Sequence, residues 1–159
     1  MAMKGKKPQV RITPGGTRGR DLPGIGKFFY RLLAPLFGRI LVRRAQGLVE
    51  IVTIGARSGK RRISTVRAFP EGDDAWLVVA SFGGASNHPA WFVNIAGHPD
   101  QVWLRMKGRE VKVLPVSLHG EERDRAWQRI TTEQSGFREY EANTDREIPV
   151  VRLTAGAPA

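Results

Sequence analysis

The 159-residue chain has no cysteine, which excludes disulfide bonds, thiolate metal sites and cysteine nucleophiles. Its three histidines, His88, His98 and His119, lack the spacing of metal ligands on a helix, so we expect no metal site. No secretory signal pattern precedes a small-residue cleavage site, and we therefore expect a cytoplasmic location. The length and composition of the chain are typical of an ordinary globular protein with one domain and one core.

Acidic residues are scarce: 15 Asp and Glu face 26 Lys and Arg, for a net charge of +11. Such a charge attracts nucleic acid, anionic lipid and phosphorylated cofactors alike. Residues 1–20 hold six of the bases and no acid in a segment interrupted by Gly and Pro, which we expect to lack stable structure. Aromatic residues do not alternate with these charges and no recognition motif is present, so we expect no nucleic-acid partner.

Hydrophobic periodicity predicts a mainly β protein with helices, of the α+β class. Six strands in short hairpins favour a small antiparallel barrel with helices packed outside. The predicted strands are Leu48–Ile54, Arg62–Phe69, Ala75–Phe82, Gln101–Met106, Glu110–Leu118 and Ile148–Leu153, and the predicted helices are Gly24–Arg44, Asn87–Ala96 and Gly120–Gln134.

The first predicted helix is amphipathic and basic, and two interpretations stay open for it. Residues 22–44 carry too many charges for a bilayer-spanning helix but suit one lying on a membrane surface as a peripheral contact. The apolar side of this N-terminal amphipathic helix could equally cap the barrel. We expect a basic flexible tail at 1–21, the helix at 22–45, the main domain at 46–154 and a C-terminal tail at 155–159.

The stretch GARSGKRRISTVR, residues 55–67, concentrates basic side chains around a Ser58-Gly59 turn. Exposed backbone amides beside several cations suit a phosphate or a carboxylate. A solvated basic turn is the alternative, because surface turns are often charged.

Two further segments differ from generic loops. The stretch ASFGGASNHPAWFVNI, residues 80–95, has a Gly83-Gly84 pair that permits close approach of a ligand to the backbone, followed by a helix start that favours anions. Its Trp91 and Phe92 suit either core packing or a wall for a flat aromatic ligand. In the stretch 137–151, the charges of residues 145–147 favour a network that anchors the last strand, and Tyr140 is either a proton donor or a core phenol.

Together these segments resemble the deazaflavin-dependent nitroreductase family. The resemblance covers about residues 48–153 and rests on four pieces in order: GARSG at 55–59 with Arg62 after it, ASFGGA at 80–85, PAWFVN at 89–94 and TDREIP at 144–149. It implies a split β-barrel of the FMN-binding type with coenzyme F420 as its cofactor. This cofactor is an aromatic polyanion, with a flat tricyclic ring, a phosphodiester and a glutamate tail.

The resemblance also implies a set of site residues. Catalytic roles fall to Tyr140 and Ser81. The residues implied to bind the cofactor are Ala56, Arg57, Ser58, Arg62, Ile63, Ser64, Thr65, Val66, Arg67, Val79, Ala80, Ser81, Phe82, Ala90, Trp91, Phe92, Val93, Asn94 and Phe137.

The implied activity is hydride transfer from reduced F420 to a quinone or another activated acceptor. A peripheral position on the inner face of the cell membrane follows only if the basic amphipathic helix makes the membrane contact. Gln134 and Phe137 stand where relatives with nitroreductase activity carry tyrosines, so we do not expect nitroimidazole reduction. Two alternatives remain: a non-catalytic F420 carrier, and an FMN-dependent oxidase on the same barrel.

Overall fold

The computed structural model describes residues 8–21 and 46–156. Within these residues, six antiparallel strands close into a barrel in the order β1-β2-β3-β6-β5-β4. The strands are β1 (Leu48–Ile54), β2 (Arg61–Pro70), β3 (Ala75–Val79), β4 (Trp103–Met106), β5 (Arg109–Ser117) and β6 (Val150–Ala155). This architecture confirms the predicted fold class.

Alternating side chains along the strands build the barrel interior. Val49 and Ile51 of β1 lie opposite Val66 and Ser64 of β2, and directly opposed residues share one face of a sheet. Leu104 of β4 lies opposite Ile51 on the other side and is fully buried. The interior is therefore a packed apolar core rather than a channel.

Three helices cover this barrel: α1 (Ala90–Gly97), α2 (Gly120–Glu133) and α3 (Gly136–Asn143). Phe92 and Ile95 of α1 are fully buried in the same cluster as the barrel interior. Ile130 of α2 belongs to a second cluster, against which Phe137 and Tyr140 of α3 pack. None of the helices in the described ranges is long and apolar enough to cross a membrane.

Most strand boundaries lie within two residues of the sequence prediction, and two boundaries differ by three residues for local reasons. The third strand was expected to reach Phe82 but ends at Val79, because the chain leaves the extended conformation at Ser81, which is helical, and Phe82, Gly83 and Gly84 then all have positive φ. Helix α1 begins at Ala90 rather than Asn87, because Pro89 is extended (ψ 147°) and holds the residue before it out of the helical region. Helix α3 was not predicted, and the helix expected at 24–44 lies outside the described residues.

Residues 8–21 form an ordered strap along the barrel, here called the N-terminal strap. This differs from the flexible tail expected there. Gln9 pairs with the end of β5, since its N–H donates to Pro115 and its carbonyl accepts from Ser117. Further along, Gly16 N–H donates to Ser86 O at 2.8 Å and Arg20 N–H to Gly84 O at 3.0 Å. Backbone hydrogen bonds of this kind compensate the low apolar content of the strap.

His88 ties the N-terminal strap to the body of the protein. Its Nε2 lies 2.7 Å from Thr13 O, and its Nδ1 lies 3.3 Å from an Nη1 of Arg146. A carbonyl only accepts and a guanidinium only donates, so these partners require a neutral ring with the proton on Nε2. Burial lowers the pKa of His88 from its ordinary 6.5, the Thr13 hydrogen bond opposes this, and the charge of Arg146 lowers the pKa further.

Truncating the barrel interior should destabilise the protein strongly. Ile51→Ala removes a fully buried side chain, and such changes cost about 2–5 kcal/mol in the free energy of unfolding. Ile12→Ala is the matched control, since Ile12 is 49% exposed and its truncation should stay within about 0.5 kcal/mol. Urea denaturation followed by tryptophan fluorescence measures both. Equal losses in the two variants would contradict the assigned core.

Stability should depend on the protonation of His88. Its lowered folded-state pKa means that the unfolded chain binds the proton more readily, so the stabilisation is present above the unfolded pKa of about 6.5 and is lost as pH falls below it. When the pH is lowered from about 7.5 to about 5, the melting temperature of the wild type should fall more than that of His88→Gln. His119→Gln changes an exposed ring and should follow the wild type. Identical profiles for all three proteins would contradict this role.

Candidate functional site

The barrel is split along one side of β2. This strand pairs with β1 from Arg61 to Arg67 but with β3 only from Ala68 to Pro70. Residues 61–66 therefore have a sheet partner on one side and, among the described residues, none on the other. An unpaired edge of this kind leaves backbone donors and acceptors open to a ligand.

The register shows which peptide groups face the split. Ala68 N–H donates to Gly47 O on the β1 side, and Lys60 O accepts from Gly55 N–H on the same side. Peptide groups alternate in direction along a strand. The N–H and C=O groups of Ile63 and Thr65 therefore point away from β1 and into the split.

A basic turn at Gly55–Lys60 lies at the end of β1 beside the split. Asn94 of α1 fixes its position: Asn94 Oδ1 accepts from Ala56 N–H at 3.0 Å, and Asn94 Nδ2 donates to Thr53 Oγ1 at 3.1 Å. Ser58 Oγ accepts from Lys60 N–H within the turn. The side chain of Asn94 is thus engaged in holding the turn against α1.

Three cations at this turn have no acidic partner among the described residues: Arg57, Lys60 and Arg62, all exposed. Their neighbour Arg61 is different, because it pairs with Glu110 on the outer face of the barrel. Arg62 lies opposite Thr53 and its Nε lies 3.7 Å from the position of a Cβ built on Gly55. Unpaired, exposed cations around free amides attract phosphate or carboxylate groups.

The turn at residues 82–84 follows β3, the strand that stops pairing with β2 at the split, and is strained. Phe82 has φ 45°, a conformation that bulky side chains rarely adopt and that costs about 1–3 kcal/mol. Gly84 has φ 81°, and a Cβ there would lie 2.7 Å from the carbonyl oxygen of Tyr140. Only glycine fits this approach to α3, and the turn presents the Phe82 ring, 37% exposed, toward solvent.

Arg146 holds this strained segment from the inside. Its Nη2 donates to Ser81 O at 2.8 Å and Ala80 O at 3.1 Å, and its Nε donates to Ala85 O at 2.8 Å. The residue is only 5% exposed, and burial lowers its pKa. A buried guanidinium with three backbone carbonyls over-determines the loop around Phe82, which is how backbone strain persists at functional sites.

Tyr140 and Ser81 both have hydroxyls that bond to no described residue. The ring of Tyr140 packs edge-to-face on Phe137, with ring centroids 5.5 Å apart, and Phe137 packs in turn on Phe69 and Trp127. This aromatic cluster anchors α3 beside the turn at 82–84. Ser81 is 9% exposed and Tyr140 is half-buried.

Most of the predicted site residues lie on the elements around the split, but they differ from one another in how far their side chains are exposed. The basic turn, the open edge of β2, Phe82 and Val93 are exposed, whereas Val66, Val79, Ala80, Trp91 and Phe92 have their side chains in the apolar clusters. Arg67 donates to Gln46 O at 3.2 Å, and Ser64 and Thr65 are half-buried. The remaining predicted residue, Ala90, is exposed at the start of α1.

Sequence reasoning did not identify Arg146, His88 or the N-terminal strap as parts of this region. The charges of residues 145–147 were expected to anchor the last strand as a network. Instead Arg146 turns inward to backbone carbonyls, while Asp145 and Glu147 are exposed. Arg146 contacts the loop around the Gly83-Gly84 turn only in the folded protein, because the two are far apart along the chain. No local sequence pattern indicates this contact.

The sequence matches known proteins over this whole region. Residues 31–155 match the family model described as F420H(2)-dependent quinone reductase. An F420H(2)-dependent quinone reductase of Mycobacterium tuberculosis is 34% identical over 104 residues, which cover 64% of this chain and 69% of that relative.

Solved structures agree with the sequence match. An F420-H2 dependent reductase is similar with a TM-score of 0.60 and 31% identity, covering 68% of this chain and 94% of that one. A structure described as a domain-swapped dimer has a TM-score of 0.61 and 28% identity, covering 77% and 97%. The family model spans well over half of the chain, and its match agrees with the split barrel and the basic turn. The chain belongs to the F420H(2)-dependent quinone reductase family, whose members are reductases with reduced coenzyme F420 as cofactor.

Proposed function

We propose that the protein transfers a hydride from reduced F420, bound along the split of the barrel, to a quinone. The observation that carries this proposal is the combination of a free strand edge at residues 61–65 with unpaired cations at one end of it. Family membership supports the reductase over the carrier and over the FMN oxidase.

The donor set fits the chemistry of this cofactor. Arg57, Lys60 and Arg62 would hold the anionic phosphodiester and glutamate groups, because these cations lack acidic partners in the described ranges. The open peptide groups of Ile63 and Thr65 would pair with the amide-like edge of the ring. The anionic part of the cofactor would thus meet cations, and its ring would meet hydrogen-bonding peptide groups.

The apolar side chains beside this edge would cover a flat ring. Ile63, Phe82 and Val93 are three of the few large apolar residues exposed in the described ranges, at 43%, 37% and 36%. They belong to β2, the 82–84 turn and α1, the three elements that border the split. Covering apolar surface with an aromatic ligand is favourable, and it excludes water from the reacting atoms.

The protein's part in the reaction is orientation and charge. Reduced F420, when bound, supplies a hydride, and a quinone that takes up this hydride and a proton becomes a hydroquinone. Tyr140 and Ser81 carry free hydroxyls beside the strained turn, and we propose that they orient the acceptor oxygen and its proton. The buried charge of Arg146 favours negative charge developing nearby.

Contact with a membrane remains a prediction. The basic segment 22–44 that would make it lies outside the described residues. Asp21 and Gln46, the described residues on either side, bond to Ser86 and Arg67, respectively. These two contacts lie on β2 and on the loop after the 82–84 turn, so a membrane contact made by the segment between Asp21 and Gln46 would bring a lipid-soluble acceptor near the site.

Removing one unpaired cation should weaken cofactor binding. Arg62→Gln eliminates a charge-assisted hydrogen bond, so we expect a dissociation constant for oxidised F420 about 3- to 10-fold higher than that of the wild type. Added salt should weaken binding by the wild type more than by the variant. Titration followed by the fluorescence of the deazaflavin ring measures both effects.

Arg109→Gln is the matched control for this titration. Arg109 is an exposed arginine at the first residue of β5, where it pairs with Met106 beside the start of β1 rather than with the basic turn at the end of β1. It should bind F420 like the wild type. If Arg62→Gln and Arg109→Gln weaken F420 binding equally, the effect comes from the net charge of the protein and not from a contact at the basic turn. If the wild type shows no saturable binding of F420, the proposed function is wrong.

A further inference from the structure

The N-terminal strap is bonded to both segments that shape the wall of the site. On one side it reaches the loop after the strained turn, since Asp21 accepts from Ser86 N–H at 3.3 Å and from Ser86 Oγ at 2.8 Å. Gly19 lies so close to this loop that a Cβ there would be 2.1 Å from Ser86 N. The strap and the loop are therefore in direct backbone contact.

On the other side, the N-terminal strap is clamped by the segment that carries Arg146. Asp145 Oδ1 accepts from the N–H groups of Thr17 and Arg18, both at 2.9 Å, and Asp145 Oδ2 accepts from the Thr17 hydroxyl. The neighbouring Thr144 Oγ1 donates to Arg18 O at 2.9 Å. These hydrogen bonds, led by that of the Thr17 hydroxyl, lower the pKa of Asp145 to about 2, so the carboxylate is ionised at neutral pH.

These contacts close a ring around the Phe82–Gly84 turn. Arg146 holds the carbonyls of residues 80, 81 and 85, Asp145 holds the strap, and the strap bonds to Gly84 and Ser86. His88 adds a further connection between Arg146 and Thr13. A strained backbone persists only where its surroundings over-determine it, and the strap supplies the outer half of that restraint.

We infer that the N-terminal strap supports the cofactor site from outside and pre-organises the Phe82 turn for binding. Asp145 and Asp21 are positioning residues that hold the strap in place. This inference rests on the proposed function. A pre-organised loop binds its ligand without the cost of ordering it, so loosening the strap should weaken binding without removing any group that the proposed function assigns to the cofactor. Substitution of an exposed aspartate without hydrogen bonds to the strap should leave the affinity for F420 unchanged.

The test combines amide exchange of the cofactor-free protein with cofactor titration, using the full chain. Asp145→Asn keeps the size of the side chain but removes its charge, and should speed hydrogen exchange at residues 84–86 about tenfold, as for the loss of about one charge-assisted hydrogen bond. The same variant should raise the dissociation constant for oxidised F420 about fivefold by loss of pre-organisation. Asp21→Asn, which acts on the loop from the strap, should shift both quantities in the same direction.

Asp73→Asn is the matched control, since Asp73 is exposed on the β2–β3 turn at the far end of β3 and should change neither quantity. Unchanged exchange in Asp145→Asn would overturn the inference, and so would faster exchange with unchanged F420 affinity, which is the result for a merely structural clamp. Those outcomes leave the proposed function standing. A wild-type chain that shows no saturable F420 binding would overturn both.

Discussion

The pairing of β2 with two neighbours of unequal length is the constraint on which the site depends. A closed barrel normally leaves no strand edge free, because every peptide group finds a partner in the next strand. Here β3 diverges after Val79, and the first half of β2 keeps only β1 as a partner. The opening leaves a row of unpaired peptide groups, which the proposed function assigns to the cofactor. The basic turn then adds charge at one end of the row.

The divergence itself follows from the conformation of a few residues. Three consecutive positive φ values at Phe82–Gly84 turn the chain away from the sheet, and Gly84 alone permits the approach to Tyr140. Arg146 and the N-terminal strap hold this conformation from opposite sides. The strain of this turn is thus balanced by hydrogen bonds to residues distant in sequence.

The sequence allowed the barrel to be predicted well, because strand alternation and turn residues are local signals. The exposed basic turn and the Gly83-Gly84 pair were also visible in sequence, and the resemblance linked them to a cofactor. Other features could not be read. The hydrogen bonds of the Asn94 amide to Ala56 and Thr53 are tertiary contacts, and the strap was expected to be flexible because its hydrogen-bond partners lie far along the chain. Burial of an arginine against carbonyls, as at Arg146, has no sequence signature.

The most direct test of this account is residue-resolved amide exchange at Ile63 and Thr65, measured by NMR with and without saturating oxidised F420. The account predicts that both amides exchange readily in the free protein, since they face the split, and become protected when the cofactor binds. The amide of Ser64, which faces β1, should be protected in both states and serves as an internal reference. Amides of Ile63 and Thr65 that are already protected in the free protein, or that still exchange freely in the saturated complex, would contradict it.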